Sequence, residues 1–265
     1  MKECQGPALP AKVVKRMKRF NHKHYIRKVH RYLGFFIGVQ FVLWTIGGLY
    51  FSWTDLDEIH GDHLRRQPSI TLELPVEVVS PSLAIQLTRQ QDERAEITKI
   101  RIVEIMGEAY YAIEYRSGSA VHSLLFGAKD GNLKPPVSRD EAQAIARSSL
   151  VGTGNVQQTT YLTADNVGKH HEYRAKPLPA WAVEFENDVK VYLDAETGQI
   201  EAVRTTKWRV FDFLWMLHTM DFNGRDNINN YILRAFSLLG IVTVLSGFVL
   251  FFVTSRYLRR FLFAR

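Results

Sequence analysis

Two uncharged apolar runs near opposite ends of the chain limit what it can fold into. The first is Tyr32 to Trp53, YLGFFIGVQFVLWTIGGLYFSW, and the second is Ala235 to Ser255, AFSLLGIVTVLSGFVLFFVTS. A helix needs about 20 apolar residues to cross the hydrocarbon core of a bilayer. It also satisfies its own backbone hydrogen bonds there, as an open strand or loop does not. The pattern predicts two membrane helices joined by one long loop.

Charge predicts the orientation. Residues 1–31 hold ten Lys or Arg and one acid, Glu3, and the tail after Ser255 holds four Arg and no acid. The stretch between the runs holds 20 basic and 26 acidic residues. Lys and Arg flanking a span stay on the cytoplasmic side. The expectation is a two-pass protein of a bacterial inner membrane, with both termini cytoplasmic and the loop periplasmic. Topology and anionic lipid account for the basic residues, so the lipid bilayer and not nucleic acid is the expected partner.

The first run is too long for the 7–15-residue core of a cleaved signal peptide, and Ser52-Trp53-Thr54 is a poor cleavage site. The single cysteine, Cys4, excludes an internal disulfide and a CxxC redox or zinc motif. A P-loop, a GxGxxG dinucleotide motif and a GxSxG elbow are also missing.

The loop repeats itself weakly. Phe126-Gly-Ala-Lys-Asp-Gly-Asn-Leu133 is similar to Tyr192-Leu-Asp-Ala-Glu-Thr-Gly-Gln-Ile200, and each reads as strand, glycine turn, strand. A helix start precedes each group. Ser80-Pro81 places an N-cap before a proline at the first helical position. Ser138-Arg-Asp-Glu141 is a capping box, in which the serine oxygen takes an amide and Glu141 reaches back. Alternation in Ala180–Phe185 and Val189–Leu193 marks strands, and the stretch around Ile100 and Ile102 followed by Tyr110–Tyr115 reads as the strands of the first unit. Each unit reads as one helix on a small antiparallel sheet, an α+β pattern.

Leu178-Pro-Ala-Trp-Ala-Val-Glu-Phe185 and Val191-Tyr-Leu-Asp-Ala-Glu-Thr-Gly198 together resemble a PepSY module, and Ser138–Ala146 resembles its opening helix. The flanks Arg27-Lys-Val-His-Arg-Tyr-Leu-Gly34 and Phe213-Leu-Trp-Met-Leu-His-Thr-Met-Asp-Phe222 resemble PepSY-associated transmembrane proteins. The resemblance implies an α+β membrane protein with two transmembrane helices flanking two PepSY-like helix-plus-sheet units. It implies two alternative functions. One is a haem b electron-transfer component that serves a periplasmic acceptor such as chelated ferric iron. The other is a non-enzymatic anchored module that binds a peptide, a protease or a partner subunit. Reductases similar to this family have four spans, whereas this chain has two runs.

The expected organisation is a basic segment at 1–31, a span at 32–53 and a linker at 54–79. A diverged first unit at 80–136 and a second unit at 137–205 follow. An interfacial amphipathic segment at 206–230, a span at 231–255 and a basic tail at 256–265 complete the chain.

Histidines are the candidate chemistry. His30 precedes the first span and reads either as a headgroup neighbour beside Arg27, Lys28 and Arg31 or as an axial haem ligand; the resemblance adds weight to the second. His60 and His63, in Asp55-Leu-Asp-Glu-Ile-His-Gly-Asp-His63, share a face if the helix continues through Gly61. Imidazoles beside carboxylates suit a divalent metal or a haem. His218 lies in an aromatic helix expected to rest on the outer leaflet, and is either an anchor or an axial ligand. His60, His63 and His218 fall on one side of the membrane and are candidates for one shared site. His30 is a membrane thickness away, so its second ligand must come from another molecule. A homodimer, or a subunit of a larger membrane complex, supplies one. Gly34 and Gly38 form a small-xxx-small pair suited to close helix approach. Gly247 suits packing or room for a porphyrin. His22, His24 and His122 carry no assigned role, and His170-His171 reads as an adventitious metal tract.

Overall fold

The computed structural model of the protein describes residues 22–66, 78–152 and 154–255. The outer part of the basic arm, the middle of the 54–79 linker and the basic tail lie outside the described residues. The chain divides into two units: residues up to Phe41 with those from Arg234 onward, and Val42–Leu233.

The first unit is an antiparallel pair of helix segments. They come from α1, His22–Trp53, and α6, Tyr231–Thr254, the two helices long and apolar enough to span a membrane. Ile37 and Gln40 of α1 are buried, as are Gly240 and Thr243 of α6. The facing residues are small for a reason. A Cβ on Gly240 would come within 3.1 Å of the Phe41 ring. Phe36 meets Phe236 at 5.5 Å between ring centroids. Small residues let backbones approach where lipid supplies no hydrophobic drive between helices. The outward faces carry Phe35, Val39, Leu238, Ile241 and Phe251, all exposed.

The second unit holds two four-stranded antiparallel meanders. α3, Pro81–Gln91, precedes β1 (Glu96–Ile105), β2 (Glu108–Ser117), β3 (Ala120–Gly127) and β4 (Leu133–Lys134). α4, Arg139–Ser149, precedes β5 (Val156–Leu162), β6 (Ala180–Phe185), β7 (Lys190–Asp194) and β8 (Ile200–Arg204). Both helix starts form as the sequence indicates: Ser80 Oγ accepts from the amide of Ser82, and Ser138 Oγ from that of Glu141. The second half of the expected capping box is replaced, because the Glu141 carboxylate pairs with Lys134 at 2.6 Å.

The two halves repeat in their hydrogen bonding. The amide of Val79, just before the first cap, donates to Ala128, and that of Val137 donates to Ala195. Tyr111 on β2 donates its hydroxyl to the carbonyl of Val79, and Trp181 on β6 its indole N–H to that of Val137. Gly131 and Gly198 both adopt positive φ, at +73° and +67°. A Cβ on Gly131 would collide with Leu83 of α3, and one on Gly198 would press on Ile145 of α4. Each turn therefore needs glycine twice over, for its conformation and for the helix packed on it.

One core joins the repeats. Val103, Ala112 and Leu125 from the first sheet pack with Ala142 and Ile145 of α4 and with Val183 and Leu193 from the second. The opposite face of β2 contributes Tyr111 and Ile113 to a separate core under α3. With both faces covered, β2 reads as a buried run at its centre. β1 is a sheet edge, and its first seven residues are mostly exposed, Ile100 and Ile102 among them.

A short helix and a 3-10 turn at Asp62–Leu64 precede the first repeat. α1 stops at Trp53, and Asp55 caps a new helix, α2, Leu56–His60. Gly61 then closes α2 in the left-handed region at φ +75°.

Candidate functional site

In the first unit, the imidazole of His30 turns onto α6. Its Nδ1 lies 2.7 Å from Ser246 Oγ, and its Cε1 would be 3.2 Å from a Cβ on Gly247. The missing side chain of Gly247 is thus the space the ring uses. This contact sets the depth of the ring along α6. Phe248–Thr254 continue the helix beyond it as a further apolar stretch of about 10 Å at 1.5 Å per residue. Sequence position beside Arg27, Lys28 and Arg31 leaves a headgroup neighbour and a ligand both open; the side chain is half-buried against an apolar helix. On the same helix, Val244, Gly247, Phe248, Phe251 and Phe252 line an open apolar groove of about 540 Å³.

In the second unit, α5, Thr206–Thr219, runs antiparallel to the last turns of α1. Tyr50 donates its hydroxyl to the carbonyl of Lys207 at one end. Phe51 packs on Phe211 at 4.9 Å midway. His218 lies at the other end, its ring centred 5.9–6.2 Å from those of Trp44, Phe51 and Trp215. Its Nδ1 is buried and, among the described residues, has no hydrogen-bond partner. A buried polar nitrogen without a partner is rare, because the lost solvation is uncompensated. The aromatic side of α5 thus packs on protein, and Val210 and Phe213 are what it leaves exposed.

The remaining face of α5 is clamped to the second repeat by charge. Asp212, only 4 % exposed, accepts from Arg174 at 2.5 Å and also from Arg225. Arg209 donates to Glu172 at 2.6 Å. Burial pushes the Glu172 carboxyl up, but the hydrogen bonds and charge of Arg209 more than offset this and leave it below the usual carboxylate range. The guanidinium of Arg204 lies 4.1 Å from the centre of the Trp208 ring.

His60 and His63 are not brought to His218. α2 meets the opposite end of α5, where Glu58 pairs with Lys207, and Gly61 abuts Val203. From Lys207 to His218 the helix runs about 16 Å. The turn at Gly61 also breaks the helical face that His60 and His63 were expected to share. Both are exposed, and His63 Nδ1 lies 3.2 Å from the carbonyl of Asp57. Among the described residues, no group of three or more His, Cys, Asp or Glu is placed to hold a metal ion. His171 Nδ1 accepts from the amide of Tyr173, an ordinary structural role.

Sequence reasoning missed Ser246, Trp44 and Phe51. A signal was available in α1. Positions 30, 33, 37, 40, 44, 47 and 51 follow a heptad spacing, and all seven are at least half-buried. This marks Trp44 and Phe51 as covered positions of α1.

No curated protein and no solved structure matches the chain. The family described as the PepSY-associated TM region matches residues 27–265, which takes in both helix-flanked histidine sites, and the chain belongs to that family.

Proposed function

We propose that this PepSY-associated membrane protein binds haem b and carries electrons across the membrane to a periplasmic acceptor, with chelated ferric iron as the acceptor class. The observation that carries the reading is the placement of His30. A half-buried imidazole sits in a notch opened by Gly247, on the helix that bears an apolar groove. Ionisable groups packed on a membrane helix are costly and are kept for function. The unpartnered Nδ1 of His218 inside an aromatic enclosure supports a second site. When bound, haem supplies one-electron chemistry. His30 and His218 would each hold it through one ring nitrogen, and the aromatic and aliphatic walls would exclude water. A second copy of the chain completes the His30 site with its own imidazole. His60 and His63 remain candidates for a separate exposed metal site. In this reading the two repeats are PepSY modules in the periplasm, and both termini are cytoplasmic.

The test is the absorption spectrum of detergent-purified protein from haem-replete cells, before and after dithionite. A Soret band that loses one component in His30→Ala and another in His218→Ala is expected. Wild-type protein without haem overturns the reading.

The edge strand β1 favours a second reading, a non-enzymatic anchored module. Among the described residues no strand pairs with the outer edge of β1, and that edge with its exposed Ile100 and Ile102 suits the addition of a partner strand. That reading expects colourless protein and a partner cross-linked through residue 102 that an Ile100→Lys variant no longer captures.

A further inference from the structure

The hydrogen bonds around His30 determine where its ring proton sits. Ser246 Oγ lies 2.7 Å from the carbonyl oxygen of Thr243, one turn earlier in α6. A carbonyl oxygen only accepts, so the single hydroxyl hydrogen of Ser246 is committed to that bond. The same Oγ lies 2.7 Å from His30 Nδ1. With its hydrogen already used, Ser246 can only accept there, and Nδ1 must be the donor. A neutral imidazole with its proton on Nδ1 carries its lone pair on Nε2.

We infer that Ser246 is a positioning residue that holds His30 in the Nδ1–H tautomer and presents Nε2 as an electron-pair donor against the apolar helix α6. Three features make this a prepared site. Gly247 clears the space for the ring, Thr243 orients the serine, and Ser246 sets the proton. The group that Nε2 serves is a Lewis acid, and naming it haem iron rests on the function proposed above. Partners of this kind orient ligating histidines in metal sites and raise their basicity. The contrast with His218 is direct, because its Nδ1 has no such partner.

The inference is tested on the full chain in detergent, labelled with ¹⁵N-histidine. The pH is about 8.5, two units above the ordinary histidine value of about 6.5. The His30 signals are assigned by their loss in His30→Ala. Wild type should show Nδ1 protonated and Nε2 bare. Ser246→Ala should move the proton to Nε2, the form free histidine favours. Ser246→Thr keeps a hydroxyl at the same place and should restore the wild-type tautomer. A bare Nδ1 in wild type, or a Ser246→Ala spectrum identical to wild type, overturns the inference. A haem arm separates it from the functional reading. In haem-loaded protein, Ser246→Ala should shift the midpoint potential of the His30 haem upward, since its ligand becomes a poorer donor. Haem-free wild-type protein that still shows the tautomer exchange sinks the haem assignment and leaves the positioning role of Ser246 standing. Protein that loads haem, yet shows no tautomer exchange in its haem-free form, does the reverse.

Discussion

The indole nitrogen of Trp44 lies 2.9 Å from the main-chain oxygen of His218. That carbonyl belongs to the last turn of α5, where carbonyls have no partner within the helix. Met220 then leaves the helix in the left-handed region. A residue of the first long helix therefore satisfies the end of another helix and walls the His218 ring. Trp44→Phe keeps an aromatic ring and removes the donor. It should cost about 1 kcal/mol, the usual net worth of one hydrogen bond, seen as a lower melting midpoint by circular dichroism in detergent. An unchanged midpoint would show that the bond does not hold the helix end.

Asp212 takes hydrogen bonds from Arg174 and Arg225 while almost fully buried. Asp212→Asn leaves Arg225 without its carboxylate in a poorly solvated place. Breaking a buried pair from one side costs on the order of 3 kcal/mol. Asp226 also pairs with Arg174, but its side chain is 58 % exposed, so Asp226→Asn should cost less than about 1 kcal/mol. Denaturant midpoints of the two variants should differ in that order; equal midpoints contradict it.

Burial raises the carboxyl of Glu196 above its usual value of 4.5, and the charge of Asp194 adds to the rise. The Ser123 amide and His122 offset part of it. The folded chain therefore holds this proton more tightly than the unfolded chain. The resulting stabilisation is complete below about pH 4.5 and is lost as pH climbs through the higher folded value. Glu196→Gln cannot ionise and lacks that loss. The stability of wild type relative to Glu196→Gln should fall as pH rises from about 4.5 through the higher folded value. Thermal midpoints of both proteins across that range decide the matter, and a constant difference contradicts it.

Lys and Arg flanking both long helices predict cytoplasmic termini. An alkaline phosphatase fusion after Gly131 should be active, and one after Arg265 inactive. The opposite pattern inverts the topology and, with it, the direction proposed for electron flow.

What was legible in the sequence was local. Ser80-Pro81 and Ser138 announced helix starts because a cap acts on amides two or three residues away. Gly131 and Gly198 announced turns because their conformation is their own. The two spans were legible from length alone. Contacts between distant segments were not. Glu141 had a near partner in its own cap and took Lys134 instead. Asp212 and Arg174 lie on different elements, and nothing near either names the other. His60 and His63 kept helical spacing on paper, while one left-handed residue between them turned the chain. Ser246 was invisible because its meaning depends on an imidazole from a helix at the other end of the sequence.

The edge of β1, open among the described residues, has one more property. Two symmetric registers use nearly the whole strand when it pairs with its own copy. Centred on Ile100, that pairing sets Lys99 against Arg101 and Glu96 against Glu104. Centred on Arg101, it sets two arginines face to face. Like charges directly opposite across strands repel, and Ile97–Lys99 already carries a break in register. Many copies crowded in one plane would thus be kept from zipping together edge to edge, while a strand with acid opposite Lys99 and Arg101 would meet no such barrier.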